Sequence, residues 1–213
     1  AEDIPVPIEQ IAALFGREVA ALVDGVTKLK EVTRGVAQGR KLSTEELQQA
    51  TLQKLFAAMT TDVRTVIIKL FDRLHNMRTI HGMSLAKQRA KATETLAVYA
   101  PLAYRLGMWE VKSELEARSL AVLEPHAYET IRAELERLRR HQEPRFEILR
   151  AQIEATLREA GLPAREIKLS PENIYTVYQD LVKHGMGYRD VDRNLRLTVL
   201  MDDPIDCYTA LGH

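Results

Sequence analysis

The chain has 213 residues, with 30 Lys plus Arg set against 30 Asp plus Glu, so its formal net charge is zero. A balanced charge excludes the strongly positive field of a nucleic-acid coat or a membrane-surface protein. The single cysteine, Cys207, excludes an internal disulfide framework and a multi-thiolate zinc site.

Most of the sequence reads as helix. Ile8, Ile11, Ala12, Leu14, Phe15, Val19, Leu22 and Val23 recur at helical spacing, with a break expected near Gly25. Residues 31–42, with two glycines and the cations Arg34, Arg40 and Lys41, read as a loop. Ser43 and Glu46 form a capping box that starts a helix reaching about Met59. Thr60 or Thr61 is the expected cap of the next helix. Ser84 opens another, expected to stop before Pro101, whose ring disfavours helical geometry at Ala100. A short piece, "PLAYRLGM", precedes a helix over Glu110–Leu123.

From Pro125 to Ala160 runs a long, charge-laced helical pattern that Pro144 should kink or split, ended by Gly161 and Pro163. Beyond it, "REIKL" reads as a strand and "ENIYTVYQDLVKHG" as a helix ending at Gly185. Leu195, Leu197, Val199 and Met201 alternate as one side of a second strand. Asp206 opens a last helix, and Cys207 is expected to be a core residue. The fold class is mainly α, a helical domain followed by the beginning of an α+β domain.

The stretch "VIIKLFDRLHNMRTIHGM", Val66–Met83, carries Asp72, His75, Asn76 and Thr79 at i, i+3, i+4 and i+7. At 3.6 residues per turn these share one face within roughly 100°. Val63, Ile67, Leu70, Phe71, Leu74 and Met77 form the expected core stripe opposite. A carboxylate one turn from an amide can divide labour, the first holding a cation and the second orienting a phosphate, sugar or base. One helix supplies at most two ligands, and a mononuclear metal site needs about four. On residue types alone, a polar face that satisfies buried backbone or loop groups is the plainer account of these residues. Glu2 and Asp3 are adjacent acids; they suit acid–base chemistry, or they complement a helix dipole. "HGMG", His184–Gly187, lacks the strand-to-helix context of a phosphate loop.

"REVAALVDGVTKL", "VIIKLFDRLHNMRTI", "TLAVYAPLAYRLGMWEVKSELEARSLAVLEP" and "DCYTALG" occur in that order. Together they resemble the long RelA/SpoT homologues, which make and degrade the alarmone (p)ppGpp of the stringent response. The resemblance runs over essentially the whole chain. It implies an all-helical HD hydrolase domain over residues 1–124, a connecting helical segment over 125–160, and the start of a nucleotidyltransferase-like synthetase domain over 161–213. By the same resemblance, Asp72 matches a ligand of a single Mn²⁺. Asn76 matches a residue that contacts the bound nucleotide, and Thr79 lies on the same side. His75 belongs to the motif without being a ligand. Glu2 and Asp3 match a pair that activates and positions the attacking water.

The implied reaction removes the 3′-pyrophosphate of (p)ppGpp, giving GDP or GTP. The implied partners are guanine nucleotides: ppGpp, pppGpp, GDP and GTP. Ribosome contact would come only through C-terminal domains outside this chain. No membrane or direct nucleic-acid partner is indicated, and the cytoplasm is the expected compartment.

Two departures from the family stand out. A histidine and a His-Asp pair that complete the metal site would precede Ala1, so the chain alone is expected to be a weak hydrolase. Where the family reads Gly-Arg-Pro-Lys-His before Ile-Tyr, this chain reads "LSPENIY", placing Ser170 and Glu172 where cations would meet phosphates. The family's Mg²⁺-binding aspartate aligns with Arg193, or with Asp192 after a one-residue slip. The second domain is expected to be truncated and inactive in synthesis. Two alternatives stand beside the hydrolase: a GTP pyrophosphokinase with an idle hydrolase domain, and a catalytically silent nucleotide-binding module.

Overall fold

The computed structural model describes residues 6–27, 49, 53, 62–171, 173–185 and 195–212. They fall into two compact units, Ala1–Leu123 and Glu124–His213. The fold is mainly α, with one small two-stranded sheet. No helix among the described residues is long and apolar enough to cross a membrane.

In the first unit, helix α1 spans Ile8–Phe15 and ends at Gly16, whose φ of 87° suits a residue without a Cβ. Helix α2 follows at once over residues 17–27. The expected break near Gly25 therefore falls at Gly16 instead. Gly25 stays helical for a packing reason: a Cβ there would lie 3.0 Å from Thr65 Oγ1. Glycine lets α2 approach helix α3, Val63–Arg78, and Glu18 pairs with Arg64 across the same contact.

Asp62, rather than Thr60 or Thr61, caps α3, its side chain accepting from the Arg64 amide at 2.9 Å. The loop expected over 31–42 and the Ser43–Glu46 capping box lie outside the described residues. A single 3₁₀ turn, Ile80–Gly82, leads to helix α4, Leu85–Glu94. Ser84 occupies the N-cap position without a side-chain cap bond.

The chain does not stop before Pro101. It widens into a π-helical turn, Thr95–Tyr99, and continues as α5, Ala100–Arg105. The Ala100 amide reaches back five residues to the Thr95 carbonyl. The proline ring would crowd the carbonyl four residues earlier, at Ala97, and the wide turn falls across that carbonyl. Gly107, at φ 71°, turns the chain into α6, Trp109–Leu123. The core of this unit gathers Val66, Leu70, Met77, Val98, Leu102 and Leu115, all nearly sealed from solvent.

In the second unit, helix α7 runs unsplit from Pro125 to Glu159 with Pro144 inside it. Pro144 and Arg140 are both exposed. Water can therefore take the carbonyl bond that the missing N–H gives up. Ile131, Leu135 and Leu138 of α7 pack on Val177 of helix α8, Ile174–His184. Asn173 caps α8 through the Tyr175 amide, and Gly185 ends it in the left-handed region at φ 59°.

Strand β1, Glu166–Pro171, pairs antiparallel with β2, Leu195–Leu200, with Ile167 opposite Val199. Helix α9, Pro204–Ala210, is capped by Asp203 rather than opened by Asp206. Cys207 is exposed, not a core residue. It sits on a short helix with no buried residue.

Candidate functional site on helix α3

The buried line of α3 runs through Val66, Leu70, Leu74 and Met77, joined by Thr65 and Arg73. Phe71 was expected in that stripe but is 51% exposed, because it lies about 100° around the helix from the centre of the line. Val63 is exposed as well; it falls on the line, but in the first turn. Asp72 and Asn76 project from the other side and are half-buried.

Asp72 is gripped at both oxygens. Lys69 Nζ lies 2.7 Å from Oδ2, and Asn76 Nδ2 donates to Oδ1 at 3.2 Å. With its Nδ2 turned toward Asp72, the Asn76 amide oxygen is set to accept from a ligand N–H or O–H. Thr79 stands one turn further on, at the exposed end of the helix. Its hydroxyl donates to the His75 carbonyl at 3.1 Å, so in this conformation it also finishes the helix. The His75 side chain is exposed. One helix thus carries Asp72, Asn76 and Thr79, and a direct bond joins the first two. Glu2 and Asp3 lie outside the described residues.

Sequence reasoning missed the cationic groups behind this face. Arg73 is buried; its Nη2 donates to Glu94 Oε2 at 2.8 Å, and its guanidinium lies 4.0 Å from the centroid of the Tyr99 ring. Nη1 is buried with no hydrogen-bond partner among the described residues. Burial works against the Arg73 charge, but Tyr99 and Glu94 outweigh it and hold the pKa above its ordinary value. Lys91 on α4 is displaced the other way. Burial lowers its pKa and Arg73 lowers it further, while Glu94 and Asp72 partly oppose them. Lys69, three residues before Asp72, was readable from spacing. The Arg73–Tyr99 stack was not, because it depends on where the π turn places Tyr99.

A metal centre tests poorly against these residues alone. Among the described residues no group of three or more His, Cys, Asp and Glu side chains could hold an ion. Asp72 offers one carboxylate, and a complete shell would draw its other donors from outside the described residues.

The first unit is a helical domain with an Asp–Asn pair on one helix, and residues 1–109 match the HD domain family. The chain is 38% identical over 211 residues to a probable guanosine-3′,5′-bis(diphosphate) 3′-pyrophosphohydrolase of Synechocystis, covering 99% of this chain and 27% of that protein. It is 39% identical over 212 residues to a GTP pyrophosphokinase of Streptomyces coelicolor, covering 99% and 24%. Against the bifunctional (p)ppGpp synthase/hydrolase SpoT of Escherichia coli K12 the figures are 33% over 211 residues, 99% and 29%. The chain belongs to the HD domain family, as a member of its RelA/SpoT homologues. It spans about a quarter of the length of these relatives.

Proposed function

We propose that this chain is the nucleotide-recognising part of a (p)ppGpp-metabolising enzyme of the hydrolase kind. The observation that carries the reading is the bonded Asp72–Asn76 pair, half-buried on α3, in a chain whose relatives are named for that chemistry. Asn76 presents its amide oxygen to the sugar or guanine of the substrate, and Asp72 fixes the rotamer that makes this possible. Thr79 extends the same polar side toward the helix end.

In the whole protein Asp72 would be one ligand of a Mn²⁺ ion, which would supply an activated water and neutralise phosphate charge. Glu2 and Asp3 are the acids that would orient a water and accept its proton. Among the described residues Asp72 is the one such ligand, so nucleotide binding rather than turnover is the readout that this part of the site supports.

The test is titration of the chain with ppGpp by calorimetry, alongside pyrophosphate release with Mn²⁺. Asn76→Ala should weaken ppGpp binding by about tenfold, the scale of one good hydrogen bond. A folded chain that binds no ppGpp at millimolar concentration overturns the reading.

The second unit takes no part in synthesis. Over residues 169–175 the chain reads "LSPENIY", so by the family resemblance Ser170 and Glu172 stand in place of two cations, and a carboxylate near a triphosphate repels it. Incubation with ATP and GDP should give no AMP above background, and clear AMP formation would refute this.

A further inference from the structure

Stability alone does not call for an arginine at position 73. The side chain is buried on α3, and its Nη1 finds no hydrogen-bond partner among the described residues. A methionine would fill similar space with no polar group to desolvate.

What a methionine could not supply is direction. Nη2 donates to Glu94 Oε2 at 2.8 Å, a bond directed by the planar fork of the guanidinium. Cζ stands over the face of the Tyr99 ring, 4.0 Å from its centroid. Glu94 is the last residue of α4, and Tyr99 is the last of the π turn that follows it. In an α-helix residues five apart diverge by about 140°. A π turn, with bonds between residues five apart, brings such a pair onto nearly one side, and both members meet Arg73.

The line Val66, Leu70, Leu74 and Met77 decides which side of α3 faces inward. Apolar contact is non-directional, however, and leaves the helix some freedom to roll about its axis. From Arg73, Asp72 lies about 100° and Asn76 about 60° around the helix in the same sense. Side-chain tips stand about 5–6 Å from the axis, so a roll of roughly 20° carries them about 2 Å. A binding constellation tolerates only about 0.5 Å.

We propose that Arg73 is a positioning residue that fixes the roll of α3 against the π turn and so sets where Asp72 and Asn76 stand. The inference rests on the reading of that face as nucleotide-recognising. It also gives the wide turn a purpose, since the turn presents Glu94 and Tyr99 together to one guanidinium.

The experiment compares the 213-residue chain with Arg73→Met by three readouts: urea denaturation, ppGpp calorimetry, and the Asn76 side-chain amide signals in a ¹H–¹⁵N spectrum. Those signals are identified by their absence in Asn76→Ala. Arg73→Met should keep a urea midpoint close to that of the unmodified chain. It should nevertheless shift the Asn76 signals and weaken ppGpp binding about fivefold, the scale of one hydrogen bond set out of reach. Val111→Ala, a core truncation on α6, should do the reverse, lowering the midpoint while leaving the Asn76 signals and the affinity in place. If Arg73→Met does not fold, Arg73→Lys is read the same way, because an ammonium lacks the planar fork. Unmoved Asn76 signals, or an unchanged ppGpp affinity, in a folded variant overturns the proposal. If neither protein binds ppGpp to millimolar concentration while the signals move, the proposed function falls and the positioning stands.

Discussion

Arg73 is the residue whose environment is least expected. A guanidinium buried among apolar neighbours carries a desolvation cost, and its unpartnered Nη1 adds about 1–3 kcal/mol. Against this stand the Glu94 bond and a desolvated cation–π contact with Tyr99, of about 2 kcal/mol. The two sides nearly cancel, which makes the response to mutation asymmetric. Arg73→Met removes the charge, the orphan donor and the stack together. It should change stability by less than about 1 kcal/mol. Glu94→Ala leaves the cation buried and should cost about 1–2 kcal/mol, reduced from the fully buried case because Glu94 is 40% exposed. Urea denaturation of the two variants checks the ordering; a larger loss for Arg73→Met would contradict it. At this scale the spacing put Asp72, Asn76 and Thr79 on one side of α3, while their roles came only from the family resemblance. It concealed Arg73, because an arginine between Asp72 and Leu74 reads as surface until Tyr99 is placed over it.

Between elements, a bidentate ion pair ties α3 to α6. Arg78 donates to Glu114 through Nε at 2.8 Å and Nη2 at 2.6 Å, and Arg118 adds a third bond at 2.7 Å. The Arg78 bonds, more than the weaker opposing burial, pull the Glu114 pKa from an ordinary 4.5 to about 2. A carboxyl with a depressed folded-state pKa stabilises fully above its unfolded value and loses that contribution as pH falls toward the folded value. Glu114→Gln should therefore cost about 1 kcal/mol at neutral pH after allowance for solvent screening. The difference from the unmodified chain should shrink as pH drops from about 4.5 toward 2, as followed by thermal melts.

Pro144 gives an independent test in α7. Pro144→Ala restores a backbone donor inside a continuous helix and should stabilise by about 1–3 kcal/mol in urea. Helix α8 was legible from the sequence because its apolar spacing and terminal Gly185 agree with its structure. The α1–α2 break was not, because two glycines nine residues apart compete for it. Only the Gly25–Thr65 contact shows which one must remain helical.

Across the whole molecule the two units are unequally filled. The core cluster of the first contains 13 buried residues, and that of the second contains four, Ile131, Leu135, Leu138 and Val177, among the described residues. A two-stranded sheet has little independent stability, and the β1–β2 pair depends on the helices of its own unit. Native-state hydrogen exchange should therefore find the slowest amides in α3 and α6, and exchange of β1 and β2 at far lower denaturant. Equal protection in both units would refute this.

The appearance of strands after Pro163 was readable from the change of period. The π turn was not readable, since it adds one residue to a helical path without altering composition. That added residue has a genetic consequence. Deleting one codon within Thr95–Tyr99 would turn the wide turn into an ordinary one and leave the side chains after it in phase with α4, since the π turn spends five residues where an α turn spends about four. The ring of Pro101 would then meet an ordinary helical carbonyl four residues earlier, with no wide turn to clear it. This stretch is therefore where the domain should feel the loss of a residue at its proline rather than in its core packing.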